Sequence, residues 1–169
     1  MIILVRPVID HSVRAMCALP YPGHDQGCPH YGQRQICPPD APLFDEFFDL
    51  SQPVFAIYIS FDLASHVARL RDIHPDWTGE QVQDLWLWNA ETKKALQEEI
   101  ALFHQEYPHY TVVECPEAMG VNITETARQV GIELQWQQPI STIYRIALAG
   151  RRKLEGNPAC PRIPHTSRA

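Results

Sequence analysis

Apolar residues are concentrated in short runs, and the pattern within each run predicts the secondary structure. The clearest strand signal is the segment 54–61, which is apolar at nearly every position, as in strands covered on both faces. Further apolar runs rich in β-branched residues predict strands at 2–6, 110–115 and 142–148. Residues 132–136 alternate between apolar and polar, which is typical of a strand with one exposed face.

Two longer segments have the 3.6-residue periodicity of amphipathic helices. Asp62 is a suitable N-cap for the first, which must stop before Pro75. Thr78-Gly-Glu-Gln81 has the form of a capping box, in which the Thr and Gln side chains each bond the other residue's backbone N–H. This box predicts the start of the longest helix, 79–106.

Two shorter helices complete the pattern. Asp40 is the predicted N-cap of one, and the other runs from about 124 to 130 and ends at Gly131, a position typical of a left-handed glycine. Strands that alternate with helices indicate an α/β fold. We predict a sheet of four to five strands with helices packed mainly on one face, in a single domain, 1–150, followed by a flexible basic tail, 151–169.

A long irregular loop interrupts this pattern at residues 17–39. It contains five prolines and three glycines, which exclude a helix or a long strand. It also contains three of the five cysteines, Cys17, Cys28 and Cys37. A long segment without secondary structure needs something to fix it in a compact chain. Bound metal would do so, because thiolate–metal bonds replace the missing hydrophobic core.

Composition and charge indicate which functions and which cellular location to expect for this chain. The 169 residues have a formal net charge of −6, which disfavours nucleic-acid binding. The apolar run at the start is too short for a signal peptide, and no stretch approaches the ~18 apolar residues of a membrane span. We therefore expect a cytoplasmic protein without a membrane partner, in which thiols stay reduced. The odd number of cysteines, five, also disfavours a disulfide framework.

Proline follows four of the five cysteines, namely Cys28, Cys37, Cys115 and Cys160. Proline favours an extended conformation of the preceding cysteine, and Cys-Pro pairs recur in ferredoxin-type cluster loops. The spacing C-x10-C-x8-C matches neither the ferredoxin run nor the paired cysteines of a zinc finger, so these residues could instead be small buried hydrophobic groups. We predict that Cys17, Cys28 and Cys37 bind a metal or cluster together.

The residues leave the fourth ligand open. Cys115 is the first choice, because it ends a predicted strand and strand ends present functional groups. His24 and His30 are alternative ligands that would suit zinc, and Cys160, in the tail, is another alternative. An open position filled by substrate or water would make the site catalytic. Arg34 is predicted either to pair with the negative charge of a thiolate-ligated cluster or to be an exposed loop arginine.

Residues 27–39 and 117–132 carry the two most specific patterns in the chain. The first contains Cys-Pro-x-Tyr-Gly-x4-Cys-Pro-Pro, and the second contains Glu-Ala, then Gly-Val-Asn-Ile, then a short predicted helix that ends in Gly. Both resemble segments of an uncharacterised family of bacterial and archaeal proteins predicted to bind metal. Many members carry a further ferredoxin-like cysteine cluster before the second segment, where this chain has Cys115 alone. The resemblance implies metal binding, with an iron–sulfur cluster the usual expectation, and no established reaction.

The sequence thus predicts a metal-binding protein with one thiolate site. The leading hypothesis is a [4Fe–4S] cluster on Cys17, Cys28 and Cys37, with Cys115 or an open position as the fourth ligand. An open iron would act as a Lewis acid on a small-molecule substrate, for example in sulfur transfer or removal. The alternatives are a non-enzymatic interaction module ordered by Zn²⁺, and an iron–sulfur redox or sensor protein with a redox partner. The reaction and the oligomeric state stay open.

Overall fold

Four antiparallel strands form the sheet of this protein. The computed structural model describes residues 1–20, 25–29, 31–84, 87–136 and 140–153. The strands in this part of the chain are β1 (Ile2–Val5), β2 (Val54–Asp62), β3 (Thr111–Val113) and β4 (Thr142–Gly150). They are arranged in the order β1-β2-β4-β3.

Helices and short 3-10 segments connect and cover these strands. The α-helices are α1 (Phe44–Phe47), α2 (Leu63–Ile73), α3 (Gly79–Val82), α4 (Asn89–Glu106) and α5 (Ile123–Arg128). Two 3-10 helices, His11–Ala18 and Pro116–Met119, carry or adjoin residues of the site described below. The prediction of an α/β fold with a sheet of four to five strands is confirmed, and the described sheet has four.

The central pair of strands, β2 and β4, separates two hydrophobic cores. On one face, Leu96 and Phe103 of α4 pack against Ile57, Ala147 and Ala149. The small alanine side chains of β4 leave room for the helix to approach the sheet, and the aromatic rings around Phe103 fill the remaining space.

The opposite face is covered by shorter elements. Phe44 and Phe48 are fully buried there together with Val121 and Leu148. Gly150 is needed at this packing, because a Cβ on it would lie 2.7 Å from a ring carbon of Phe48. This second core supports the segments that carry the cysteines.

The local signals for helix starts are confirmed, but the long helix 79–106 is wrong. Asp62 caps α2 by accepting a bond of 2.9 Å from Ser65 N, and the capping box of Thr78 and Gln81 is present. The helix that this box starts ends at Val82, and α4 begins only at Asn89.

Tertiary packing explains why the helix breaks. Val82 is fully buried, and the Trp88 ring stacks on Phe61 with ring centres 5.9 Å apart. Trp88 also donates from its ring nitrogen to Gln83 O at 3.4 Å. Burying Val82 and Trp88 at once requires the chain to turn between them, so packing overrides the continuous helical pattern.

Two other local predictions are also wrong. Residues 132–136 form no strand; Ile132 is buried, Leu134 packs on the second core, and Trp136 donates to Thr124 Oγ1 at 3.1 Å. The alternating pattern therefore reflects packing of one side of an irregular segment. Asp40 does not cap α1, whose N-cap is Leu43, without a side-chain hydrogen bond.

The start of the predicted basic tail is attached to the body of the protein. Asp49 N donates to Arg151 O at 2.8 Å, and Lys153 N donates to Phe47 O at 3.1 Å. The remainder of the predicted tail, 154–169, lies outside the described residues. Among the helices that the structure describes, none is both long enough and apolar enough to span a bilayer.

Candidate functional site

Cys17 and Cys28 are brought together by a close contact of the backbone. Cys17 lies in the last turn of the 3-10 helix His11–Ala18, and its carbonyl accepts a hydrogen bond of 2.8 Å from Cys28 N. Gly27 makes this contact possible, with φ at +79° and a Cβ position only 2.7 Å from the carbonyl carbon of Ala18. A side chain at position 27 would push the loop away from the helix. The two cysteines are therefore neighbours in space as well as in the loop.

Cys37 is fixed by turns and by an arginine from the same 3-10 helix. Cys37 N donates to Arg34 O at 2.8 Å, and Cys37 O accepts from Ala41 N at 2.9 Å. The Arg14 guanidinium donates to the carbonyls of Pro39, at 3.0 Å, and Ala41, at 2.8 Å. Arg14 thus ties the end of the loop to the helix that carries Cys17.

Cys115 reaches this region from the far half of the chain. It lies two residues beyond β3 and is the N-cap of the 3-10 helix Pro116–Met119, which packs against the 3-10 helix His11–Ala18. Gly120, with φ at +84°, allows the approach, because a Cβ there would lie 2.8 Å from the His11 ring. A hydrogen bond of 2.8 Å from Asp10 N to Gly120 O closes the contact.

The charges of the cysteines influence one another. Burial raises the pKa of Cys17, and negative charge on Cys28, Glu117 and Cys37 raises it further, while Arg14 lowers it. Burial of the thiol, followed by the charges of Glu117 and Cys37, raises the pKa of Cys115 to about 11, although the residue as a whole is exposed. Cys17 therefore lies within electrostatic reach of Cys28 and Cys37, and Cys115 within reach of Cys37 and Cys17. The neutral forms of Cys17 and Cys115 are favoured at pH 7.

Three charged residues around the cysteines were not predicted from the sequence as part of the site. Burial raises the pKa of Glu117, whose charge acts on both Cys17 and Cys115. Arg14 is the cation that acts on Cys17, whereas Arg34 is exposed in the loop. An acidic residue immediately after a Cys-Pro pair was the available signal for Glu117; the position of Arg14 had none.

Arg145 is the third of these residues, and it lies on the face of the sheet that α4 covers. Its guanidinium donates to Thr92 Oγ1 at 2.7 Å and to the side chain of Asn89. Burial lowers the pKa of Arg145, and the charges of Glu114 and Cys115 oppose that shift. A single arginine inside the otherwise apolar run 142–148 was the sequence signal for this network.

The donor chemistry fits a thiolate-bound metal, but the donors are not assembled around one point. Cys17, Cys28, Cys37 and Cys115 are all free thiols. Across the described parts of the chain, no group of three or more Cys, His, Asp or Glu side chains is arranged to hold a metal ion. Three alternative ligands, His24, His30 and Cys160, lie outside the described residues.

The chain was also compared with known proteins. Comparison with protein-family models, with curated proteins and with solved structures returned no match.

Proposed function

We propose that this protein binds one metal centre through Cys17, Cys28, Cys37 and Cys115, and that the centre is a [4Fe–4S] cluster. The observation that carries the proposal is the contact between the two 3-10 helices, which brings Cys115 to the region of the cysteine loop. A ligand from the far half of the chain would tie the loop to the sheet as well as stiffen it.

The chemistry of the donors supports a metal over a purely structural role. Four reduced thiols in one region would repel one another as thiolates, and Glu117 adds a further negative charge. A bound cation would offset this repulsion and favour the thiolate forms. We infer that binding displaces the thiol protons and draws the loop inward, because the sulfurs do not form a coordination sphere beforehand.

Iron–sulfur is favoured over zinc by the sequence patterns. Proline follows Cys28, Cys37 and Cys115, as in cluster-binding loops, and residues 27–39 resemble the family signature that implies metal binding. When bound, such a cluster supplies electron transfer or, at an iron without a protein ligand, Lewis acidity toward a small-molecule substrate. We place the protein in the cytoplasm, where thiols remain available for metal.

The surrounding residues have defined roles in this proposal. Arg14 positions the loop end through the carbonyls of Pro39 and Ala41, and its charge stabilises the thiolate of Cys17. Glu114 raises the pKa of Cys115, and the charges of Cys115 and Arg145 attract each other. Arg34 is a surface residue that neutralises the net charge of the loaded loop.

Anaerobic purification of the full chain tests the proposal. Brown protein with broad absorbance near ~400 nm that dithionite bleaches, together with matching iron and sulfide contents, is the expected result. Colourless protein with one equivalent of zinc would refute the cluster and favour the zinc-ordered interaction module. Protein that binds neither metal would refute the whole site.

Single cysteine variants identify the ligands. Cys17→Ser, Cys28→Ser and Cys37→Ser are each expected to lose the absorbance and the iron, whereas Cys160→Ser is the matched control and keeps both. Cys115→Ser tests the fourth ligand, since loss of iron means that Cys115 supplies a fourth thiolate and retention of iron means that the fourth position is open or is held by another residue. Retention of full iron content in Cys28→Ser would contradict the assignment.

A further inference from the structure

The outer edge of β1 has backbone groups that pair with no other strand among the described residues. Met1 exchanges both of its backbone hydrogen bonds with Tyr58 on β2, at 2.8 Å and 3.0 Å. In an antiparallel ladder the direction of these groups alternates along the strand, so Ile3 and Val5 also face β2, and Ile2 and Leu4 face outward. In the described part of the chain no strand pairs with this outer edge.

The side chains along this edge are apolar and exposed. Ile2 is 40 % exposed and Leu4 is 58 % exposed, on the same face of the sheet as α4. Leu102 of α4, one turn after the Glu99 side chain that pairs with the Met1 amine, is 57 % exposed. Proteins normally protect such edges with charge, proline or a bulge, and residues 2–5 have none of these.

We propose that a second copy of this chain pairs with β1, so that two four-stranded sheets join into one sheet of eight strands. A two-fold axis through Ile3 places Ile2 of one copy opposite Leu4 of the other. Both residues then use their outward N–H and C=O groups, which gives four backbone hydrogen bonds across the axis.

The apolar and charged side chains are consistent with this register. In this pairing the α4 faces of the two sheets lie on the same side of the joined sheet. Ile2 and Leu4 of both copies therefore form one apolar cluster beside the two α4 helices. Arg6 of each copy then lies just beyond Met1 of the other copy, on the side of the sheet where the negatively charged Glu99 lies. The opposite sheet edge, β3, is less suitable because its three residues are all half-buried.

Sedimentation equilibrium of the full chain tests this pairing over concentrations from about 1 µM to about 1 mM. We expect the mass to rise with concentration from the single-chain value of 19.3 kDa toward twice that value. A short strand pair buries less surface than the about 1,200–2,000 Å² of stable complexes, so the dimer should dissociate on dilution. A single-chain mass throughout the range would overturn the proposal.

Two variants of Leu4 locate the interface. Leu4→Pro removes an outward N–H that the β1–β2 ladder does not use, and Leu4→Lys adds charge to the apolar cluster; both should stay at the single-chain mass. Ile73→Lys, at a similarly exposed position on α2, is the matched control and should behave as the parent chain. Circular dichroism verifies folding, and Leu4→Lys decides the test if Leu4→Pro unfolds. A dimer that survives in the folded variants, or that Ile73→Lys abolishes, would place the interface elsewhere.

Discussion

Gly27→Ala is expected to separate the cysteine loop from the 3-10 helix that carries Cys17. The φ angle of Gly27, +79°, costs a residue with a Cβ about 1–2 kcal/mol. The Cβ would also lie 2.7–2.9 Å from the backbone of Cys17 and Ala18, which has no flexible end to move away. Overpacking of this kind costs about 1–3 kcal/mol more.

Gly32→Ala is the matched control within the same loop. Its φ is +67°, but no atom lies within 4 Å of the Cβ position, so only the backbone cost of about 1–2 kcal/mol applies. The difference between the two variants therefore measures the contact itself.

Urea unfolding followed by circular dichroism, together with iron content after anaerobic purification, makes the comparison. We expect the free energy of unfolding to be lower in Gly27→Ala than in Gly32→Ala by about 1–3 kcal/mol, unless the loop detaches first. Detachment would instead appear as a selective loss of iron in Gly27→Ala. Equal stability and equal iron content in the two variants would refute the idea that this contact positions Cys28 beside Cys17.

Three further predictions concern the core, a helix cap and the pH dependence of metal binding. Phe103→Ala should lower the free energy of unfolding by about 3–5 kcal/mol in urea denaturation, because the ring is fully buried between α4 and the sheet; a loss below about 1 kcal/mol would contradict that packing. Hydrogen bonds from Ser65 hold the pKa of Asp62 below its ordinary value. The Asp62 carboxylate therefore stabilises α2 above that ordinary pKa, and this stabilisation is lost as the pH falls through the folded-state pKa. Asp62→Asn should remove this part of the acid dependence of stability, measured by circular dichroism. The pKa of Cys115 is raised to about 11, so a metal must displace its thiol proton to bind. The affinity for Co²⁺ should therefore increase between pH 6.5 and 8.5, by up to roughly tenfold per pH unit for each proton released. In Cys115→Ser the affinity should depend less on pH than in the parent chain.

Local features of the chain were predictable where one element satisfies its own requirements. The apolar run of β2 and the Asp62 cap of α2 depend on neighbouring residues, and both are present. Gly131 is also left-handed, with φ at +77°, where Gly131 N bonds Arg128 O and Ile132 N bonds Ala127 O at the end of α5. Such signals act over a few residues and hold in the folded protein unless distant packing opposes them.

The predictions failed where distant contacts opposed the local pattern. The segment 79–106 is periodic throughout, yet burial of both Val82 and Trp88 divides it into two helices. The segment 132–136 alternates like a strand, but no described strand pairs with it; instead Leu134 packs on the second core and Trp136 donates to Thr124. Neither competing contact is encoded within the segment itself.

The same division applies to the candidate site. The sequence by itself determined which residues can act as thiolate ligands, because the cysteine content and the Cys-Pro pairs are properties of the chain. Only the tertiary structure decided that Cys115 approaches the loop, since this depends on the close packing of Gly120 on His11. It also decided that Arg14, far in sequence from Pro39, holds the loop end. Ligand identity is a matter of side-chain chemistry, whereas proximity between the two halves of the chain results from packing that no local pattern records.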